Sequence, residues 1–66
     1  MKYNYNKLWK LLIDNKMLKK DLMEKASIAA STMAKMSKEL PVSLEVIGRI
    51  CEVFKCNVGD VLEIIY

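Results

Sequence analysis

Lys19 and Lys20 stand where a helix would begin, a place that disfavours cations. The macrodipole is positive at that end, and each lysine there opposes it by a few tenths of a kcal/mol. Asp21 and Glu24 can offset the pair locally, but two lysines so placed also suit an external anion, of which phosphate is the obvious kind. A little further on, Ser31 and Lys35 are four apart, which puts them on one helix face. A hydroxyl and an ammonium offer hydrogen bonds and charge, with no covalent chemistry. Nothing else in the chain offers more. There is no histidine, no nucleophile has an evident base partner, and no glycine-rich phosphate loop is present, so an enzyme finds no support. The two cysteines, Cys51 and Cys56, are too few for a zinc site, which takes four nitrogen or sulfur ligands. Their spacing of five within or just past a helix assigns them to different faces, one as a buried thiol and one as an apolar loop residue. No metal and no cofactor are expected.

The elements that carry these groups lie between Lys19 and Lys38. Leu22, Met23 and Ala26 line one face of a first short pattern, and Ile28, Met33 and Met36 line a second. Spacings of three, four and five fit a period of 3.6 rather than 2. Ala26-Ser27-Ile28 must then reverse the chain sharply. That turn buries both apolar faces on one core and leaves Ser31 and Lys35 outside, as in a helix-turn-helix whose second helix can lie in a DNA groove.

At 66 residues, 53% hydrophobic and 29% charged, the chain has the composition of one small soluble domain spanning residues 1–66. A chain of this size buries only about 60% of its unfolded surface, so one core is all it can build. Its apolar runs are too short to span a bilayer. The first residues lack a secretory pattern, and unpaired thiols fit a reducing, cytoplasmic setting. The net charge of +3 is unevenly spread. Residues 1–38 carry nine lysines against Asp14, Asp21 and Glu24, a net of +6. Residues 39–66 carry Arg49 and Lys55 against Glu39, Glu45, Glu52, Asp60 and Glu63, a net of −3. The basic half contains the helix-turn-helix, an asymmetry to which a polyanion responds.

In chain order, Asn4 or Asn6 is a candidate cap for a first helix ending near Asn15. Leu8, Leu11 and Leu12 face the core there, with Trp9 and Ile13 widening the apolar arc enough to pack on more than one side. Asn15 is the candidate for the left-handed exit. Met17 points inward, and Leu18 is a weak cap for the second helix. The third helix covers about residues 29–37. Pro41 forces Leu40 out of the helical region. Ser43 caps a fourth helix whose core series is Leu44, Ile47, Ile50, Cys51 and Phe54. Gly48 in its middle costs about 1 kcal/mol against Ala, which predicts a second helix packed closely on it. Asn57 and Asp60 resemble a capping box opening a fifth helix from Val58 to about Ile64, with Val61 and Leu62 buried.

The segments KLWKLL, KKDLMEKA, SIAASTMAKM, PVSLEVIGRICEVF and CNVGDVLEI, in this order and spacing, resemble the phage Cro/repressor-type helix-turn-helix domains of the xenobiotic-response-element class. The resemblance runs from Lys7 to Ile64. It implies an all-α, compact five-helix lambda-repressor-like bundle that binds double-stranded DNA, with its third helix in the major groove. Ala30, Ser31 and Lys35 then fall at base-reading positions. Alanine can touch only a thymine methyl, serine can donate or accept, and lysine can reach the acceptors of guanine. Lys19, with Lys20 beside it, and Lys38 fall at phosphate positions, and Thr32 can serve either role. Three residues depart from the family pattern: Ser27 stands for the usual Gly, Met23 for a small Ala, and Ala29 for a Ser or Thr cap.

One small domain makes few base contacts. The expectation is therefore a repressor-like regulator acting as a homodimer on a two-fold operator, with half-sites about one helical turn apart. The apolar tail Ile64, Ile65 and Tyr66, with Val61, is the candidate dimer surface; covering the subunit's own core is the other use for it. No membrane and no small-molecule ligand are expected as partners. A protein-interaction module on the same fold is the alternative function, since Ala29-Ala30 and the methionines Met17, Met23, Met33 and Met36 suit an adaptable surface.

Overall fold

The computed structural model describes all 66 residues. Helix α1 is Asn6–Asp14. Its first turn is held from outside, where Asn4 Oδ1 accepts from the Asn6 amide at 2.9 Å. Leu8 and Leu12 are buried on one face, but Ile13 is 75% exposed. The apolar arc is therefore narrower than the sequence suggests, running from half-buried Leu11 to half-buried Trp9 and leaving Ile13 outside. Helix α2 is Lys19–Ala26 and helix α3 is Ala30–Ser37. Helix α4 is Leu44–Phe54, capped by Ser43 Oγ accepting from the Val46 amide at 3.2 Å. No helix is long and apolar enough to cross a membrane.

All four helices end in the same way. Lys16, Ser27, Glu39 and Lys55 take φ of 54°, 54°, 59° and 54°. At each, the next amide donates back across the turn: Met17 to Leu12 O, Ile28 to Met23 O, Leu40 to Lys35 O, and Cys56 to Cys51 O, at 2.8–3.1 Å. This is the Schellman closure, which satisfies carbonyls left over at a helix end and brings together the side chains at its two poles. Glycine is the usual occupant of the left-handed position, yet this chain uses none there, and neither of its glycines has positive φ. The left-handed exit from α1 falls on Lys16, not on Asn15, whose side-chain amide instead donates to Leu11 O at 2.8 Å.

The same closure corrects the placement of the cysteines. Across the turn after α4, a spacing of five joins faces rather than separating them, and the Cys51 and Cys56 thiols adjoin. Burial pushes the Cys56 thiol above its usual range, with the neighbouring Cys51 adding to the shift.

Twelve side chains form the core: Tyr5, Leu8, Leu12, Leu22, Ala26, Ile28, Met33, Met36, Val46, Ile47, Ile50 and Val61. In α4 the buried face runs through Val46, Ile47 and Ile50. Leu44, in the first turn and on the flank of that face, is 78% exposed. No atom lies within 4 Å of a Cβ built on Gly48, so no helix packs closely there.

The fifth helix does not form. Asn57 and Asp60 do make end-capping bonds: Asp60 Oδ2 accepts from the Asn57 amide at 3.0 Å, and Asn57 Oδ1 from Val58 at 2.8 Å. They close only a 3-10 turn, Val58–Asp60. After Val61 enters the core the chain runs extended as strand β2, Glu63–Ile65, antiparallel to strand β1, Lys2–Asn4. Tyr3 lies opposite Ile64. Consecutive β-branched isoleucines favour that pairing over another helical turn. The architecture is thus four α-helices with a two-stranded sheet.

Candidate nucleic-acid interface

The turn between α2 and α3 positions the site. Ser27 is its pivot, with φ 54° and ψ 52°. A non-glycine residue stays there only when its surroundings fix it. Here the flanking Ala26 and Ile28 are buried, and Arg49 Nη1 of α4 donates to Ser27 O at 3.3 Å. Arg49 also lies 3.9 Å from Glu45 in an exposed pair, which contributes little. Ala29 caps α3 through its extended backbone alone, with no side-chain bond.

Met33 and Met36 plug α3 into the core. The opposite face is exposed and carries Ala30, Ser31, Ala34 and Lys35, with Ser37 and Lys38 at the end of the helix. Thr32 is half-buried on the flank. The helix is about 12 Å long at 1.5 Å per residue, a length that fits a major groove. Ala34 and Ser37 belong to this face although sequence reasoning did not single them out. Their spacing from Ala30, four and seven, was the available signal.

The lysines bracket that face. Lys19 and Lys20 open α2 and are exposed, and Lys38 follows α3. Asp21 does not neutralise the first two by pairing with them. Its Oδ2 accepts from the Leu18 amide at 2.8 Å, the N3-to-N-cap half of a capping box, while the Leu18 side chain can offer no acceptor for the other half. No carboxylate lies within ion-pair distance of Lys19, Lys20, Lys35 or Lys38. Lys19 instead reaches across to two other helices. Its ammonium sits 4.4 Å from the centre of the Trp9 ring and donates to Ser37 Oγ at 3.0 Å. Lys7 is used differently, donating to Gly59 O at 3.2 Å, which ties α1 to the 3-10 turn and away from this surface.

The tail residues part company. Val61 is 0% exposed and belongs to the subunit's own core, so it has no surface to offer a second copy. Ile64, Ile65 and Tyr66 are exposed, the last at 98%. The methionines do not form an adaptable surface: Met33 and Met36 are buried, and Met17 and Met23 pack half-buried against the core.

Comparison with known proteins agrees with this geometry. The crystal structure of the transcriptional regulator VanUg superposes with a TM-score of 0.90 and is 48% identical, covering 94% of this chain and 83% of that one. No protein with a curated description matches. Residues 7–65 match the Cro/C1-type helix-turn-helix DNA-binding domain, and the chain belongs to that family.

Proposed function

We propose that the chain is a transcriptional regulator that represses by occupying a two-fold operator as a homodimer, with α3 in the major groove. The observation that carries the reading is the exposed face of α3 bounded by lysines that no carboxylate neutralises. Positive charge of that kind displaces the cations condensed on a duplex. Family membership and the likeness to VanUg, itself described as a transcriptional regulator, support the same role.

In this arrangement Ala30 meets a thymine methyl, Ser31 donates to or accepts from a base edge, and Lys35 reaches guanine acceptors. Lys19, Lys20, Thr32 and Lys38 meet phosphates and fix the register. Only two of the base-facing side chains can hydrogen-bond, so a second copy is needed to raise specificity. Ile64, Ile65 and Tyr66 supply exposed apolar surface for it, without Val61.

Selection of bound sequences from random DNA, with a salt titration, tests the reading. Affinity should fall steeply as salt rises. Lys20→Ala should weaken binding to every sequence, whereas Ser31→Ala and Lys35→Ala should change which sequence is preferred. Folded protein that binds no duplex at low salt would rule the function out. A strict monomer by sedimentation, free and DNA-bound, would rule out the dimer.

A further inference from the structure

Lys19 is an exposed lysine whose ammonium is nevertheless held in place. We propose that Trp9 and Ser37 are positioning residues that fix Lys19 for a DNA phosphate, and that the Ser37 hydroxyl donates to the same phosphodiester oxygens. The inference rests on the DNA-binding reading and adds to it two residues from outside the α2–α3 turn.

The arrangement builds outward from the core. Tyr5 is buried, and its ring centre lies 6.3 Å from that of Trp9 at an interplanar angle of 53°. This tilted contact orients an indole that is itself only half-buried. The Trp9 ring then faces the Lys19 ammonium at 4.4 Å, within the range where the ring quadrupole attracts a cation. On its other side the ammonium donates to Ser37 Oγ at 3.0 Å. One side chain from the start of α2 is thereby gripped by α1 and by the last residue of α3.

A free lysine samples many rotamers, and a phosphate contact must otherwise remove that freedom on binding. Here the ordering precedes the DNA. Neither contact neutralises the charge, because an indole and a hydroxyl are uncharged. The ammonium has three N–H donors, and its bond to Ser37 uses one. The Ser37 oxygen accepts in that bond, so its own proton remains available to an anion. A phosphodiester offers acceptor oxygens to both groups at once.

The test is DNA affinity against salt for Trp9→Leu, Trp9→Phe, Ser37→Ala, Lys19→Ala and the double variant Trp9→Leu/Lys19→Ala. Lys19→Ala should lower affinity on all sequences and reduce the log–log salt slope by about one. Trp9→Leu should lower affinity about two- to fivefold on all sequences with the slope unchanged, because the charge remains. Trp9→Phe should fall between Trp9→Leu and the parent, and Ser37→Ala should weaken binding without changing the slope. In the Lys19→Ala background Trp9→Leu should have no further effect, which a merely structural role for the indole would not produce. Trp9 is the only tryptophan, so its emission reports the contact in the free protein and should change in Lys19→Ala without DNA. That readout holds even if Trp9→Leu fails to fold. Unchanged emission overturns the clamp, as does Trp9→Leu weakening binding equally with and without Lys19. Absence of any DNA binding by the parent chain overturns the functional reading itself.

Discussion

Replacing Ser27 with glycine should make the protein more stable. Ser27 holds φ 54° and ψ 52°, where a residue with a Cβ is disfavoured by about 1–2 kcal/mol relative to the right-handed region. Glycine removes that strain but loses more freedom on folding, an offset of about 0.4–1 kcal/mol. The remainder is a gain of about 0.5–1 kcal/mol. The native bonds across the turn survive the change, since Ile28 N–H to Met23 O and Arg49 Nη1 to Ser27 O involve only backbone atoms of residues 23, 27 and 28. With a urea m-value of about 1 kcal/mol/M for a small domain, the midpoint should rise by about 0.5–1 M at unchanged m. The melting temperature should rise by about 3–6 °C. Ser27→Ala is the control, since it retains the Cβ and should not reproduce the gain. Ser27→Gly at or below the parent, or Ser27→Ala matching it, would refute the claim that the turn is strained by its side chain.

The geometry sets three further outcomes. Gly48→Ala should stabilise by about 1 kcal/mol, because the added methyl meets nothing; urea denaturation measures it, and DNA affinity should not move. Tyr5→Phe removes the bond from the phenol to Leu40 O at 2.7 Å and should cost about 1–3 kcal/mol, as a partner carbonyl is left behind. Burial raises the Tyr5 pKa, with Tyr3 adding and the Val42 backbone opposing. The unfolded phenol therefore gives up its proton first. The advantage of the parent over Tyr5→Phe should be full below about pH 10 and shrink as pH rises through the higher folded value, read from paired denaturation curves. The raised Cys56 thiol should alkylate slowly at pH 8, and its rate should still be climbing at the pH where an unperturbed thiol has levelled off; Cys51→Ala should move that profile to lower pH.

Sequence reasoning captures the helices, because Leu8–Leu12, Leu22–Ala26 and Met33–Met36 bury at helical spacing. It also captures the sharp turn at Ser27 and the outward set Ser31 and Lys35. The fifth helix fails because Asn57 and Asp60 cap a single turn as readily as a full helix. The path of the chain beyond Asp60 is decided by β1, a partner nearly a whole chain away that local pattern does not contain. Three of the left-handed exits fall on lysine and glutamate, which carry no signal for that conformation, while the glycines that would carry it lie elsewhere. Val61 and the tail are apolar neighbours parted only by Glu63, and packing is what separates the core residue from the exposed ones. Ser37 carries a spacing signal from Ala30, but the role of Trp9 as a site residue is invisible because three helices must assemble before it meets Lys19.

The pairing of β1 with β2 has a kinetic meaning. Its register, with Lys2 opposite Ile65 and Tyr3 opposite Ile64, closes loops of roughly 60 residues, which carry a larger closure entropy than the helix–helix contacts. The sheet should then assemble after the helices and open before them, so that the Tyr3 and Ile64 amides exchange with solvent through local fluctuations while those of Leu12 and Ile50 await global unfolding. Tyr5, anchored in the core next to β1, prevents that opening from spreading inward. The exposed apolar residues proposed for dimerisation thus sit on the most labile element of the fold. Pairing of two copies would order that element, and protection of the Ile64 amide should rise with protein concentration.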